Sequence, residues 1–179
     1  MKDDKRFEIP FSGLKDGKHH FDQHVDNTFF ESYNYDDFND ASLDVQIELN
    51  KKPTFLEFDL QVNGTVNVNC DLTNEPYDQP IAGEYELVVK YGDAYNDEHE
   101  DLLIIPHGSH KVDIAQYVYE LIVLAVPRKC VHPGIADGTL KSDILDKLEE
   151  LQPRMKEENT EEIDPRWEGL KGLLDNKNG

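Results

Sequence analysis

The chain has 179 residues, and its 38 acidic and 18 basic side chains give a formal net charge of −20. Such a charge repels phosphate backbones and anionic membranes, so it argues against tight direct nucleic-acid binding by this chain alone and against a membrane surface. A hydrophobic content of 37% suffices for one core, and no stretch approaches the roughly 18 apolar residues of a membrane span.

The first elements in chain order are an extended segment and a segment with a helical rhythm. Residues 7–11 predict a strand, which Ser12-Gly13 closes. Residues 18–35 carry apolar side chains at a rhythm of about four, which favours a helix. These side chains are Phe21, Val25, Phe29 and Phe30.

Alternating apolar residues then predict a series of β-strands at 43–49, 56–62, 66–70 and 85–91, and a short apolar run predicts another at 102–105. Lys51-Lys52-Pro53 indicates one turn, and Asn63-Gly64 predicts a hairpin turn. The local turns favour an antiparallel meander with one buried face.

Two helices are predicted after the strands. Residues 112–126 form one strongly apolar helix that Pro127 ends, and its wide apolar face indicates that it lies across the sheet. A second, amphipathic helix follows Gly138, with Thr139 as its cap and its apolar side chains at Leu140, Ile144, Leu148 and Leu151.

Together these elements predict an α+β protein. Its sheet is an antiparallel meander or a partly open barrel covered by one apolar helix, and a helical C-terminal extension follows. We assign residues 1–136 to the core domain, 137–152 to the amphipathic helix, and 153–179 to a charged linker with a C-terminal tryptophan motif.

The C-terminal motif is the strongest indication of a binding site. Asp164 caps a predicted helix and Pro165 suits its first position, where no backbone N–H is needed. Trp167, Leu170 and Leu174 lie at i, i+3 and i+7 on one face. Because so short a helix is marginal alone in water, this face must dock, either on the chain's own domain or on another macromolecule.

Two residue groups carry metal-ligand chemistry, and we expect a metal or cofactor at neither. His20 and His24 would share a helix face, but the general base of a metalloprotease helix is missing. Cys70, Cys130 and His132 offer three soft ligands where a closed zinc site needs a fourth. The two cysteines make no disulfide framework, which favours reduced thiols in the cytoplasm.

Motifs for catalysis or phosphate binding are weak. Ser109 and His110 are adjacent, but a nucleophilic serine is normally served by a base from elsewhere in the fold, so a strand-to-helix turn is the better interpretation. The chain has no phosphate-binding glycine loop and no interleaving of aromatic and basic residues. We therefore expect a protein that is not an enzyme.

Several short motifs occur in a fixed order along the chain: Phe7-Glu8-Ile9-Pro10-Phe11 with Gly13-Leu14, the strand pair around Gly64, Cys70-Asp71-Leu72-Thr73 with Pro80-Ile81, Leu124-Ala125-Val126-Pro127, and Asp164-Pro165-Arg166-Trp167 with Leu170-Lys171. In this order and spacing they resemble the YceD family, the large ribosomal RNA subunit accumulation proteins. Many members carry a C-x-x-C where this chain has Cys70 and Thr73, and a cysteine cluster where only Cys130 remains, so the resemblance implies no metal role here.

The resemblance implies a non-catalytic factor that supports large-subunit ribosomal RNA accumulation and ribosome assembly. The acidic body suits contacts with basic ribosomal proteins or pre-ribosomal particles, and arginine and tryptophan are usual interface anchors. The binding residues are Asp164, Pro165, Arg166, Trp167, Leu170 and Lys171. The alternatives are an acidic adaptor or chaperone unrelated to ribosomes and a metal-assisted hydrolase that uses His20 and His24.

Overall fold

The computed structural model describes residues 5–99 and 101–151, which form a short 3₁₀ turn at Lys5–Phe7, eight β-strands and four α-helices. The strands are β1 Glu8–Pro10, β2 Gly17–Asp26, β3 Asp40–Lys51, β4 Phe55–Asn69, β5 Pro76–Gly92, β6 Asn96–His99, β7 Leu102–Pro106 and β8 Lys111–Asp113. The helices are α1 Asn27–Glu31, α2 Ala115–Ala125, α3 Pro133–Ala136 and α4 Asp143–Leu151.

A six-stranded open sheet lies at the centre of the fold, in the order β2-β3-β4-β5-β7-β6. Strands β2 to β5 form an antiparallel meander, whereas β5 and β7 run parallel. A separate ladder pairs β1 with β8, with Ile9 opposite Val112. The predicted α+β class is confirmed, but the sheet is mixed rather than wholly antiparallel, and the strands of residues 5–99 and 101–151 close no barrel.

One face of the sheet is buried because apolar residues alternate along its strands. Leu43, Val45 and Leu49 of β3 are fully buried, and so are Phe58 and Leu60 of β4. Helix α2 covers this face and approaches β5 closely, since a Cβ built on Gly83 would lie 3.0 Å from Cδ1 of Leu121. The predicted helix-on-sheet core is therefore present.

The apolar helix begins three residues later than predicted. Val112 belongs to β8, where it pairs with Ile9, and the Asp113 carboxylate accepts a hydrogen bond from the N–H of Ala115 at the start of α2. The helix ends as expected. Val126 is extended at ψ 129°, because the ring of the following Pro127 disfavours helical backbone at the residue before it.

The helix predicted over residues 18–35 is largely wrong. Residues Gly17–Asp26 form β2, an edge strand that pairs with β3 along its whole length. Only Asn27–Glu31 is helical, and the Asp26 side chain caps this helix by accepting from the N–H of Thr28. Phe29 and Phe30 of this helix lie in the core.

The hairpin predicted at Asn63-Gly64 is also wrong, because both residues lie inside the continuous strand β4. Gly64 pairs with Leu43 on one side and with Ile81 on the other. Strand β5 is longer than predicted, since it begins at Pro76.

Helix α4 belongs to a unit of its own, apart from the unit that ends at Ser142. It begins at Asp143, and Thr139 is not its cap: the N–H and the hydroxyl of Thr139 both donate to the Asp137 carboxylate. Ile144, Leu148 and Leu151 are exposed large apolar side chains on α4. None of the helices in the described part of the chain has the length and apolar character of a membrane span.

Candidate functional site

The six residues predicted from the sequence to bind a partner lie outside the described residues. Asp164, Pro165, Arg166, Trp167, Leu170 and Lys171 all fall within residues 152–179. In the described part of the chain, polar and titratable side chains gather on strands β2 to β5 and in the loops that follow β4 and α2.

The sheet carries polar side chains on the face opposite to α2, and strand register aligns them in rows. One row joins Asp22, Gln46, Gln61 and Glu84 across β2 to β5. We refer to this row and the neighbouring one as the acidic face. The second row contains His20, Glu48, Asp59 and Glu86.

The acidic face is a shallow depression of about 570 Å³. Five of its eight row members are carboxylates. Lys18 bonds to Glu48, and this hydrogen bond holds the pKa of the Glu48 carboxyl below its usual range. The excess of carboxylates gives the surface a negative potential that attracts cationic groups and repels phosphates.

His20 and His24 share this face, but they do not converge on one point. On a strand, residues four apart are separated by about 13 Å, because each residue advances roughly 3.3 Å. Each imidazole instead meets its own carboxylate on β3: Nδ1 of His24 lies 3.0 Å from Asp44, and Nδ1 of His20 lies 3.5 Å from Glu48. The shared helix face on which the metal-assisted hydrolase depended is therefore absent from β2.

Cys70 lies in the loop after β4 and Cys130 in the loop after α2, and hydrogen bonds that involve the backbone join these two loops at a junction. The N–H of Asp71 donates to the carbonyl of Cys130 at 2.8 Å, and the N–H of Cys130 donates to the Asp71 carboxylate at 2.7 Å. The N–H of His132 donates to the sulfur of Cys70 at 3.3 Å. The imidazole of His132 turns towards its own helix, where Nδ1 accepts from the N–H of Gly134.

The Cys70 sulfur is an acceptor for several donors. Burial raises the pKa of this thiol, but hydrogen bonds from the N–H of His132, the Thr73 side chain and the N–H groups of Leu72 and Thr73 lower it, and the net pKa is below its ordinary value. Thr73 is itself buried at 3% exposure. Its hydroxyl therefore supports the Cys70 sulfur as a hydrogen-bond donor.

The same junction includes Tyr77, which packs on the His132 ring at a centroid distance of 5.4 Å. The pKa of Tyr77 is raised to about 12, mainly by burial and to a smaller extent by the neighbouring Cys130. Across residues 5–99 and 101–151, no group of three or more His, Cys, Asp or Glu side chains is arranged to hold a metal ion. The junction is thus a packed, hydrogen-bonded contact between two loops.

Ser109 and His110 form a turn, but one that joins two strands rather than a strand and a helix. The Ser109 hydroxyl donates to the carbonyl of Pro106 at 2.8 Å, between β7 and β8. The carbonyl of His110 accepts from the N–H groups of Phe11 and Ser12. The Ser109 bond thus stabilises the turn, and the His110 bonds connect it to the segment after β1.

Sequence reasoning did not identify the acidic face as a site. The sequence indicates this face only through the polar residues that alternate with the apolar ones, for example Asp44, Gln46 and Glu48 of β3. Alternation shows that these side chains share a face, but only the register shows which carboxylates are neighbours across strands.

Comparison with known proteins gives one family. The family model described as "Large ribosomal RNA subunit accumulation protein YceD" matches residues 58–174, more than half of the chain. This range includes the cysteine junction, helix α2 and the predicted tryptophan motif, and it begins after the strand at residues 7–11. The search of curated proteins found no match, and neither did the search of solved structures.

Proposed function

Because the chain belongs to the YceD family, we propose that it is a non-catalytic cytoplasmic factor that supports the accumulation of large-subunit ribosomal RNA during ribosome assembly. The family match is the observation that carries this proposal. It names a process, and the surfaces of the protein indicate how the chain takes part in it.

We propose that the protein acts through protein contacts. A chain of net charge −20 gains little from a phosphate backbone, since each phosphate contact requires a cation. The acidic face instead complements the lysine- and arginine-rich surfaces that ribosomal proteins need to hold RNA. Arg166, Trp167 and Leu170 are the proposed anchors of this contact, with Asp164 and Pro165 starting their helix and Lys171 flanking it.

The test compares cells that lack this protein with cells in which the gene is restored. We expect the ratio of large- to small-subunit ribosomal RNA to fall without the protein and to recover with it. On sucrose gradients the full-length protein should sediment with particles that contain large-subunit RNA. Removal of residues 152–179 should release it from these fractions.

Purified protein provides a control for the route of binding. Without ribosomal proteins, it should bind naked ribosomal RNA only weakly at physiological salt. An unchanged RNA ratio, together with absence from the particle fractions, would contradict the proposed function and favour an adaptor unrelated to ribosomes. Tight binding to naked RNA would contradict the protein-mediated route alone.

A further inference from the structure

Helix α2 carries apolar surface that the sheet does not cover. Leu124 is 82% exposed, although its neighbour Leu121 is buried. Tyr117, Leu121 and Leu124 lie at i, i+4 and i+7, so they share one stripe of the helix. One part of the wide apolar face predicted for this helix therefore covers the core, and the part at Leu124 is exposed to solvent.

This stripe lines a groove between α2 and β5, which we refer to as the α2–β5 groove. It has a volume of about 320 Å³, and its walls are mostly apolar. The rings of Tyr85 and Tyr117 stack at a centroid distance of 6.1 Å. The lining comprises Gly83, Glu84, Tyr85, Tyr117, Glu120, Leu121, Leu124 and Ala125.

One carboxylate marks the polar rim of this groove. Glu120 is fixed on α2 by a hydrogen bond from the Gln116 amide. Glu84 also lines the groove, but its side chain belongs to the acidic face on the other side of the sheet. The groove thus presents an apolar floor beside the Glu120 carboxylate in a chain of net charge −20, which fits an apolar side chain flanked by cations.

We propose that the α2–β5 groove binds a lysine- or arginine-rich segment of a ribosomal protein through one apolar anchor side chain. This inference rests on the proposed function for the identity of the partner. The volume is that of a pocket for one or two large side chains, which is how a peptide anchor is held. A second copy of this chain is a poor occupant, because two bodies of charge −20 repel each other.

The test uses full-length protein and overlapping peptides of about 15 residues from the large-subunit ribosomal proteins, measured by fluorescence anisotropy. Peptides with an aliphatic or aromatic residue between cations should bind. Leu124→Lys should weaken them by roughly tenfold or more, since it places a cation at the anchor position. Glu120→Gln should weaken them less and reduce the salt dependence.

Leu151→Lys is the matched control, because Leu151 is 78% exposed on α4 and the charge change is the same. Equal losses in Leu124→Lys and Leu151→Lys, or no loss in either, would show that the peptides bind elsewhere and would overturn the proposal. Two other results would also overturn it: peptide binding only after removal of residues 152–179, and a Leu124→Lys variant that converts a dimer into a monomer.

Expression of Leu124→Lys in the deletion cells separates the two proposals. If the variant restores the RNA ratio although it has lost peptide binding, the groove proposal fails and the proposed function stands. If the RNA ratio never depended on the protein, the proposed function fails, whatever the peptides do. Loss of both peptide binding and complementation, with an unchanged melting temperature, would support the groove.

Discussion

Gly64 lies in the middle of β4, where the backbone of β3 leaves no room for a side chain. A Cβ at this position would lie 2.3 Å from the carbonyl oxygen of Ser42 and 2.9 Å from Cα of Leu43. Its φ of +150° is also one that residues with a side chain rarely adopt. The Asn63-Gly64 pair predicted a hairpin because glycine is typical of tight turns. Glycine is also required where two strands approach closely, and that is its role here.

We predict that Gly64→Ala strongly destabilises the protein. The backbone strain alone costs roughly 1–3 kcal/mol, and the contact with Ser42 adds to it because it involves backbone atoms that cannot rotate away. Urea denaturation followed by circular dichroism measures the free energy of unfolding.

Gly13→Ala is the control for this substitution, because nothing lies within 4 Å of a Cβ at Gly13 and its φ lies outside the left-handed region. Its free energy of unfolding should stay within about 1 kcal/mol of the parent value. A Gly64→Ala protein as stable as this control would show that β4 and β3 do not approach as described.

At the level of elements, strand β2 shows that residue spacing alone does not distinguish a helix from a strand. Phe21 and Val25 are four residues apart, which suits one face of a helix, but four is also an even number and suits one face of a strand. The burial pattern in β2 alternates with period two, and Val25 is its one fully buried residue. Pairing with β3 decides the outcome, and no local pattern contains that information.

Strand β5 is longer than the sequence pattern predicted, because its first part contains two prolines. Pro76 and Pro80 indicated a loop, yet both residues pair with β4, opposite Asn69 and Thr65. The partner on the other side of β5, strand β7, pairs only with residues Val88–Gly92. The prolines therefore lie where β5 is an edge strand, and there a missing N–H costs no ladder hydrogen bond.

The long central elements were predictable from the sequence. Alternation located β3 and the first half of β4, and the apolar run located α2, because burial of one face imposes a period on the residues. The parallel pairing of β5 with β7 was not predictable, because it depends on β6 passing to the sheet edge. The α2–β5 groove was not predictable either, because it depends on which strand the helix covers in the folded protein.

From the junction of the two cysteine loops we predict that the purified protein contains no stoichiometric zinc. Thr73 provides a hydroxyl where a thiol would be needed, and the His132 Nδ1 atom accepts from Gly134. Elemental analysis after purification without chelators should find far less than one zinc per chain.

Cys70→Ser provides the comparison for the zinc measurement, because it should leave the metal content unchanged. About one zinc per chain that is lost in Cys70→Ser or Cys130→Ser would contradict the prediction. In that case both loops would supply ligands, with a rearranged His132 as a further one.

For the whole molecule, charge and topology act together. The net charge of −20 was evident from composition, but the fold concentrates carboxylates on the sheet face that α2 leaves uncovered. On the other side of the sheet, apolar surface is exposed at Leu124 of α2. A partner with mixed cationic and apolar character therefore meets complementary surface on the core unit and, by our proposal, a second contact in the C-terminal motif.

This two-contact arrangement leads to a prediction for Trp167→Ala combined with Leu170→Ala. If these side chains anchor a partner, the double variant should lose particle co-sedimentation and fail to restore the RNA ratio, while its melting temperature stays near that of the parent protein. The acidic residues at 157–162 favour this outcome, because a charged tether suits a segment that reaches outward.

The melting temperature is the decisive measurement, because it separates a contact with a partner from a contact within the chain. Removal of a buried tryptophan from the protein's own core costs on the order of 3–5 kcal/mol, which would lower the melting temperature visibly. Such a loss would refute the partner interpretation. Lys177→Gln is the matched control: it alters the same segment outside the six proposed binding residues, so its effect on co-sedimentation should be small.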